Sequence, residues 1–219
     1  MSDFSIRLYN WSDHEVARDL FVQGILEHVP VTFYRSLRLS PVWIFMVCAS
    51  VVSFLISGSI AISMLAVTSV LALLYLNIRS IFYTYLEQCL CEDMKDIHKY
   101  YLQREGSCFW VAESAGQVVA TVAAIPSSHP LGIQCVELKR LSVLRSQRGN
   151  GIAKALCRTV IDFAQGRGCE SVILETSVVQ TDAQRLYENM GFRLIRTYYI
   201  PDFIASFIDF KELVYQYDI

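Results

Sequence analysis

The stretch best suited to chemistry is residues 141–153, Leu-Ser-Val-Leu-Arg-Ser-Gln-Arg-Gly-Asn-Gly-Ile-Ala. Leu141, Ser142 and Val143 close an apolar strand, a short loop follows, and Arg148, Gly149, Asn150, Gly151, Ile152 and Ala153 open an amphipathic helix. Small residues there let a ligand come close to the backbone, and the first N–H groups of a helix have no acceptor within it, so the segment suits an anion. By physics alone that anion is a phosphate or a pyrophosphate. The seven cysteines are odd in number, and their spacing matches neither a disulfide framework nor a zinc site. They read as reduced thiols. The alternative for Cys89 and Cys91, just beyond a hydrophobic segment, is S-acylation. Nothing in the sequence calls for a metal.

The elements that must position this segment follow from periodicity. A chain of 219 residues holds one domain of ordinary size and an accessory segment. The net charge of -2, with no basic stripe, argues against a nucleic-acid partner. Residues 5–9 read as a strand, Ser12 or Asp13 as a helix cap, and Val16, Leu20, Phe21 and Ile25 recur at near-helical spacing. Residues 81–102 read as a helix. Residues 109–113 and 118–125 form two strands around a turn at residues 114–117, and Pro126 and Pro130 bound a loop. Strands are expected at 135–143, 171–176, 192–199 and 207–217, and helices at 149–168 and 183–190, the last ended by Gly191. The mixture indicates an α/β (α+β) domain around one sheet.

Residues 39–78 contain no Asp, Glu, Lys, Arg or His, and the mean hydropathy of the whole chain is +0.36. One straight helix over that run would be ~60 Å long, whereas a bilayer's hydrocarbon layer is ~30 Å thick. Two crossings with a turn at Gly58 and Ser59 fit better, making the lipid bilayer a partner. Arg35 and Arg38 before the run and Arg79 after it favour placing both ends on the cytoplasmic side. Aromatic residues at both ends (Phe33, Tyr34 and Trp43; Tyr75, Phe82, Tyr83 and Tyr85) would then share one interface. No secretory signal peptide opens the chain.

A second motif lies further on: Ala183, Leu186, Tyr187, Gly191 and Phe192 spell Ala-x-x-Leu-Tyr-x-x-x-Gly-Phe. Together with Arg148, Gly151 and Ala153 in the pattern Arg/Gln-x-x-Gly-x-Gly/Ala, this resembles the GNAT superfamily of N-acetyltransferases over roughly residues 109–210, with residues 5–25 as its first strand and helix. The resemblance implies a central mixed sheet and acetyl-CoA as cosubstrate, the pyrophosphate on the backbone of Arg148 to Ala153 and pantetheine beside Leu141, Ser142 and Val143. It also implies direct attack by an amine, with Glu137 in the position of a general base and Tyr187 in that of the donor to the CoA sulfur. Many relatives carry Asn where this chain has Gln180, which offers the same hydrogen bonding. The division implied is residues 1–34 as first strand and helix, 35–86 as a membrane-embedded hairpin inserted into the fold, and 87–219 as the acetyl-CoA-binding catalytic domain.

Within the superfamily the sequence looks like the camello group, also called the N-acetyltransferase-eight family, by the place of the hydrophobic segment and by Arg-Gly-Asn-Gly-Ile-Ala-Lys-Ala-Leu over residues 148–156. That resemblance implies an endoplasmic reticulum or Golgi membrane and a small-molecule amine, the cysteine S-conjugate of mercapturate formation. Acetylation of protein lysine in the reticulum is the alternative, and a non-catalytic acyl-CoA-binding membrane module is the alternative of another class. Lys139, on the same side of its strand as Glu137, is a candidate for the substrate carboxylate, whereas Arg140 is expected to face the other way. Asn10-Trp11-Ser12 matches a glycosylation acceptor and is expected to stay unused on a cytosolic domain. The sequence sets no oligomeric state.

Overall fold

The computed structural model describes residues 4–127 and 135–219. The loop expected between Pro126 and Pro130 lies mostly outside the described residues. Seven strands form one sheet in the order β1-β2-β3-β4-β5-β7-β6: β1 (Phe4–Leu8), β2 (Cys108–Ser114), β3 (Gln117–Pro126), β4 (Cys135–Val143), β5 (Ser171–Ser177), β6 (Arg193–Tyr199) and β7 (Lys211–Asp218). Every adjacent pair is antiparallel except β4 and β5, so the sheet is mixed as expected.

The course of β4 shapes the centre of the molecule. Its parallel pairing with β5 is confined to Cys135–Leu138 against Ser171–Leu174. Beyond Leu138 the two strands part, while β4 keeps β3 on its other side, with Ser142 opposite Thr121 and Val143 opposite Ala120. The register against β3 also slips between Thr121 and Ala123, and Arg140 takes a left-handed φ of 55°. A bulge of this kind bends and twists its strand, in keeping with the parting from β5.

The sheet is covered on both faces. On one, α5 (Ile152–Gly166) and α6 (Thr181–Met190) pack through Leu156, Cys157, Val160 and Tyr187 against Trp110, Val122, Leu138 and Leu174. The other face carries α1 (His14–Leu26) and the end of α4 (Ile60–Cys91), with Phe21, Leu86, Met94 and Ile97 packed on Phe109, Val111, Ala123 and Ile125. The start of α1 is fixed by Asp13, whose carboxylate accepts from the Asn10 backbone N–H at 2.8 Å and from Arg7 at 2.7 and 3.0 Å. Asp13, expected as a cap, stands at the cap position of α1 but makes no side-chain hydrogen bond into that helix; its carboxylate closes the preceding turn and ties it to the first strand. After α1 come α2 (His28–Ser36) and α3 (Ser40–Ser57), which pack through Val29 and Val42 on α4.

α3 and α4 form the hairpin. Gly58 turns the chain with φ 63°, and Ser63 donates across the pair to the Ser50 carbonyl at 2.7 Å. Both helices are long and apolar enough to cross a membrane, with only 6% of each apolar window buried inside the protein. Since β1 belongs to the same sheet as the strands after the hairpin, an embedded hairpin must enter and leave the membrane on one side.

Three boundaries differ from the expected ones by three residues or more. The helix expected at 81–102 stops at Cys91; the chain turns at Glu92 and resumes as a short π-helical turn at His98–Leu102. Just past that end, Asp93 turns inward onto Arg140. The helix expected from Gly149 begins at Ile152, because Gly149 and Gly151 both take φ 82°. The last strand starts at Lys211 and is preceded by α7 (Phe203–Phe207), capped by Asp202 accepting from Ala205 N–H at 2.7 Å.

The Asp93–Arg140 pair is bidentate, at 2.6 and 2.7 Å, with both side chains under one-tenth exposed. Tyr101 donates to the same carboxylate, Tyr85 hydroxyl lies 2.9 Å from the guanidinium, and the Phe21 ring lies 4.8 Å from its carbon. Burial would lower the Arg140 pKa, but the hydrogen bonds to Asp93 more than offset this and hold the charge. Removing one member of a buried pair costs about 3–5 kcal/mol. Asp93→Asn is therefore expected to lower the melting temperature by at least about 5 °C, read by thermal unfolding of the detergent-solubilised protein.

Candidate active site

Where β4 and β5 part, a cavity of about 750 Å³ opens between the sheet, α1, α2, α5 and α6. Its two ends differ in chemistry. At one, α5 begins: Gly151 caps it in the left-handed region, and Ala155 N–H is the first to bond back, to the Gly151 carbonyl at 3.0 Å. The N–H groups of Ile152, Ala153 and Lys154 consequently have no partner within the helix, and the dipole of a 15-residue helix adds positive potential. Arg145, Arg148 and Lys154 line the same end. A Cβ on Gly149 or Gly151 would meet nothing within 4 Å, so glycine is needed there for its φ and not for space. A pyrophosphate fits this end.

Most of the residues singled out in the sequence meet here. Leu141, Ser142, Val143, Arg148, Gly149, Gly151, Ile152, Ala153, Gln180, Lys139 and Tyr187 all line the cavity. Asn150 does not; its amide is turned to Gln147 at 3.5 Å. Leu141, Ser142 and Val143 form the wall that β5 leaves unpaired, which leaves strand edge for an extended ligand with amide groups.

Tyr187 stands on α6 with its ring between Phe192 and Tyr215, 5% exposed. Among the described residues its hydroxyl has no hydrogen-bond partner, though it reaches the cavity. Burial pushes the phenol pKa far above its ordinary value, so the group keeps its proton. Gln180, at the cap of α6, accepts with Oε1 from Ser177 N–H at 2.9 Å and from the hydroxyls of Thr176 and Ser177 at 3.0 and 3.2 Å. Its oxygen is thereby fixed in the turn, and its Nε2 is left facing the cavity and the His28 ring at 3.5 Å.

The acceptor side lies on the α1 face of the sheet. Glu137 is there, 8% exposed, set just behind the cavity wall with Lys139 Nζ at 3.2 Å from its carboxylate. Arg140 is on this face too, over Phe21, contrary to simple alternation. The bulge adds a residue to β4, and the left-handed turn at Arg140 swings its side chain back to the side of Lys139. Its charge is spent on Asp93, so it is not a free site for a substrate carboxylate.

Four residues in or beside the site carry no mark in the sequence. His28 lines the cavity from α2, its pKa lowered by burial first and by Arg148 among its neighbours, which keeps the ring neutral. Glu27, one residue earlier, pairs with Arg148 at 2.7 Å. Glu175 lines the cavity from β5, and Glu212 lies diagonally across on β7, opposite Ser177. The only available signal for these is polarity next to apolar runs, and that does not separate a site residue from a solvated one.

Fold and geometry define an acetyltransferase of the GNAT type, and comparison with known proteins agrees. A profile of the acetyltransferase (GNAT) family matches residues 75–192. The chain is 42% identical over 204 residues to N-acetyltransferase 8F1 of Mus musculus, covering 93% of this chain and 92% of that protein. It is 37% identical over 219 residues to the probable N-acetyltransferase camello of Xenopus tropicalis, covering 100% and 99%. A crystal structure of a GNAT-family acetyltransferase from Staphylococcus aureus shares the fold, with a TM-score of 0.57 at 19% identity over 99% of both chains. The chain belongs to the N-acetyltransferase 8 and camello family of GNAT acetyltransferases, and it is an acetyl-CoA-dependent N-acetyltransferase.

The site is open to test at two positions. Tyr187→Phe is expected to lower kcat about 10–100-fold with little change in KM for acetyl-CoA, measured by thiol release. Glu212 is the second: burial, then the Glu175 charge, pushes its carboxyl pKa up to about 7. The unfolded chain ionises near 4.5, so between these values the folded state holds the extra proton and stability falls as pH rises. Above pH 7 the loss is complete, on the order of 1–2 kcal/mol once residual solvation is allowed for. Glu212→Gln is expected to flatten the melting temperature between pH 5 and 8 and to raise it at pH 8.

Proposed function

We propose that the protein is a membrane-anchored enzyme that acetylates the amino group of cysteine S-conjugates, the reaction of mercapturate formation. The observation that carries this reading is the mixed character of the acceptor wall. Phe21, Ile25 and Val31 give an apolar surface, while Lys139 supplies a cation beside Glu137. An amino acid with its carboxylate on Lys139 and an apolar thioether against Phe21 and Val31 would satisfy both. Such a substrate partitions toward a bilayer, where an anchored enzyme meets it at raised concentration.

Bound acetyl-CoA supplies an activated acetyl thioester, and the chain's own groups bind, align and move protons around it. The amides of Ile152, Ala153 and Lys154, with Arg148, Gly149 and Gly151, hold the pyrophosphate end; Leu141, Ser142, Val143 and Gln180 align the arm. Glu137 takes the proton from the attacking amine, and its place behind the wall calls for a water between them. Tyr187 Oη holds a proton ready for the sulfur that leaves. Its hydroxyl opens on the cavity with its proton free to donate there, which weighs against a non-catalytic acyl-CoA-binding module.

The apolar hairpin within residues 35–86, α3 and the first part of α4, is proposed as the membrane-embedded part, in the endoplasmic reticulum or Golgi membrane, with the catalytic domain facing the cytosol, where Leu86 already packs on the sheet. Arg35, Arg38 and Arg79 at the hairpin's two ends support that orientation. A glycosidase-sensitive mobility shift from Asn10 would reverse it.

The test is thiol release from acetyl-CoA by detergent-solubilised protein offered S-benzyl-cysteine, cysteine, aspartate or a lysine peptide. Turnover is expected with S-benzyl-cysteine, strongly reduced by Glu137→Gln, while Lys139→Met raises the KM for the conjugate about tenfold with kcat little changed. Turnover on the lysine peptide alone would move the function to protein acetylation. An unchanged KM in Lys139→Met would remove that residue from the carboxylate site.

A further inference from the structure

The short helix α7, between the last two strands, carries a surface that catalysis does not use. Phe203 is 80% exposed, more than any other phenylalanine of the chain, and Phe207, half-buried, follows one turn later on the same side. The opposite side of the helix is fully buried: Ala205 and, just after it, Ile208 pack on Val42 of α3 and on Leu74, Ile78 and Phe82 of α4. α7 is therefore fastened to the hairpin and cannot swing its phenylalanines inward.

Helix length sets the depth of that fastening. α3 has 18 residues, ~27 Å of helix, for a hydrocarbon layer of ~30 Å. A helix this short has no turn to spare, so an embedded α3 starts at the hydrocarbon edge with Ser40. Phe45 then lies about 8 Å inside that edge. The Phe45 ring packs edge-on against Phe207, with centroids 6.4 Å apart. Whatever touches Phe45 from the domain side is at or below the membrane surface. The charged neighbours sit where headgroups would lie: Arg35 donates to the carbonyls of Ile208 and Asp209 at 3.1 and 3.2 Å, and Lys211 pairs with Asp209 at 2.8 Å. Cations at one end of α7, the bare Phe203 ring and the half-buried Phe207 ring beside Phe45 match the polarity gradient of a bilayer interface.

We infer that α7 is a third membrane contact, in which Phe203 and Phe207 enter the outer acyl region of the bilayer that holds α3 and α4. This rests on the anchored reading of the hairpin. It adds that the link between β6 and β7, and with it the start of the strand bearing Glu212, is set by the lipid as well as by the protein.

The experiment uses the full chain in dioleoyl phosphatidylcholine vesicles, with or without lipids brominated at carbons 6 and 7 of the acyl chain. Phe203→Trp is compared with Arg185→Trp, on the exposed side of α6, each as difference emission from the parent chain. Flotation after a carbonate wash reports the hairpin separately. The expected result is a blue-shifted Phe203→Trp component quenched at least about twofold by brominated lipid and untouched by aqueous iodide, with the Arg185→Trp component quenched only by iodide. Iodide quenching of Phe203→Trp in chains that still float would overturn the inference and leave the anchor standing. Shielding that grows with the number of chains per vesicle and ignores the bromines would assign the surface to a second copy instead. Failure to float would remove the anchored reading and this inference together.

Discussion

A single buried ion pair holds the working parts of this enzyme in register. Arg140 sits at the bulge of β4 in a left-handed conformation that a side chain larger than glycine seldom adopts. Asp93, just past the end of the long helix α4, meets it with two hydrogen bonds, and Tyr101, Tyr85 and Phe21 close around the pair. Charge taken out of water is tolerated only with such full satisfaction. The unusual backbone at Arg140 is kept because every group around it is committed.

The consequences run in two directions. Toward the site, the bulge lies where β4 leaves β5, and that parting exposes Leu141, Ser142 and Val143 along the cavity. Toward the hairpin, Asp93 turns inward just past the end of the helix, so the segment that begins among apolar residues at Ile60 ends inside the catalytic domain. The hairpin is thus not a tether joined by a flexible linker. Leu86 and Cys89 of α4 belong to the same packed layer as Phe109 and Val111 of β2. A domain built this way holds its acceptor cleft at a fixed height above whatever surface the hairpin enters.

The two ends of the cavity use different physics for different partners. The end at the start of α5 offers backbone amides and a helix dipole, which suit an anion through charge and geometry with little dependence on side-chain identity. At the acceptor end, side chains crowd together: Glu137 with Lys139, and Glu175 near Glu212. These side chains lie apart from the helix start, so the two ends of the cavity can vary independently in sequence.

Much of this was legible in the sequence because it is local. Gly149 and Gly151 before an apolar helical period mark the anion site, the unbroken apolar run 39–78 marks the hairpin, and Tyr187 stands in a ten-residue pattern that fixes its place on α6. These depend on residues near one another in the chain, where spacing sets geometry. Tertiary structure decided the rest, since it depends on contacts between distant segments. Nothing around Asp93 reveals that it will meet Arg140, 47 positions later, at the bend of a strand. Simple alternation sends Arg140 to the wrong face, because an added residue in a strand shows only against its neighbour's register. His28 and Glu27 become part of the site only when α2 folds over the start of α5. A sequence specifies local conformation through propensity and period, whereas long-range pairing is chosen by the packing of the whole chain, and that is where the acceptor side of this enzyme is made.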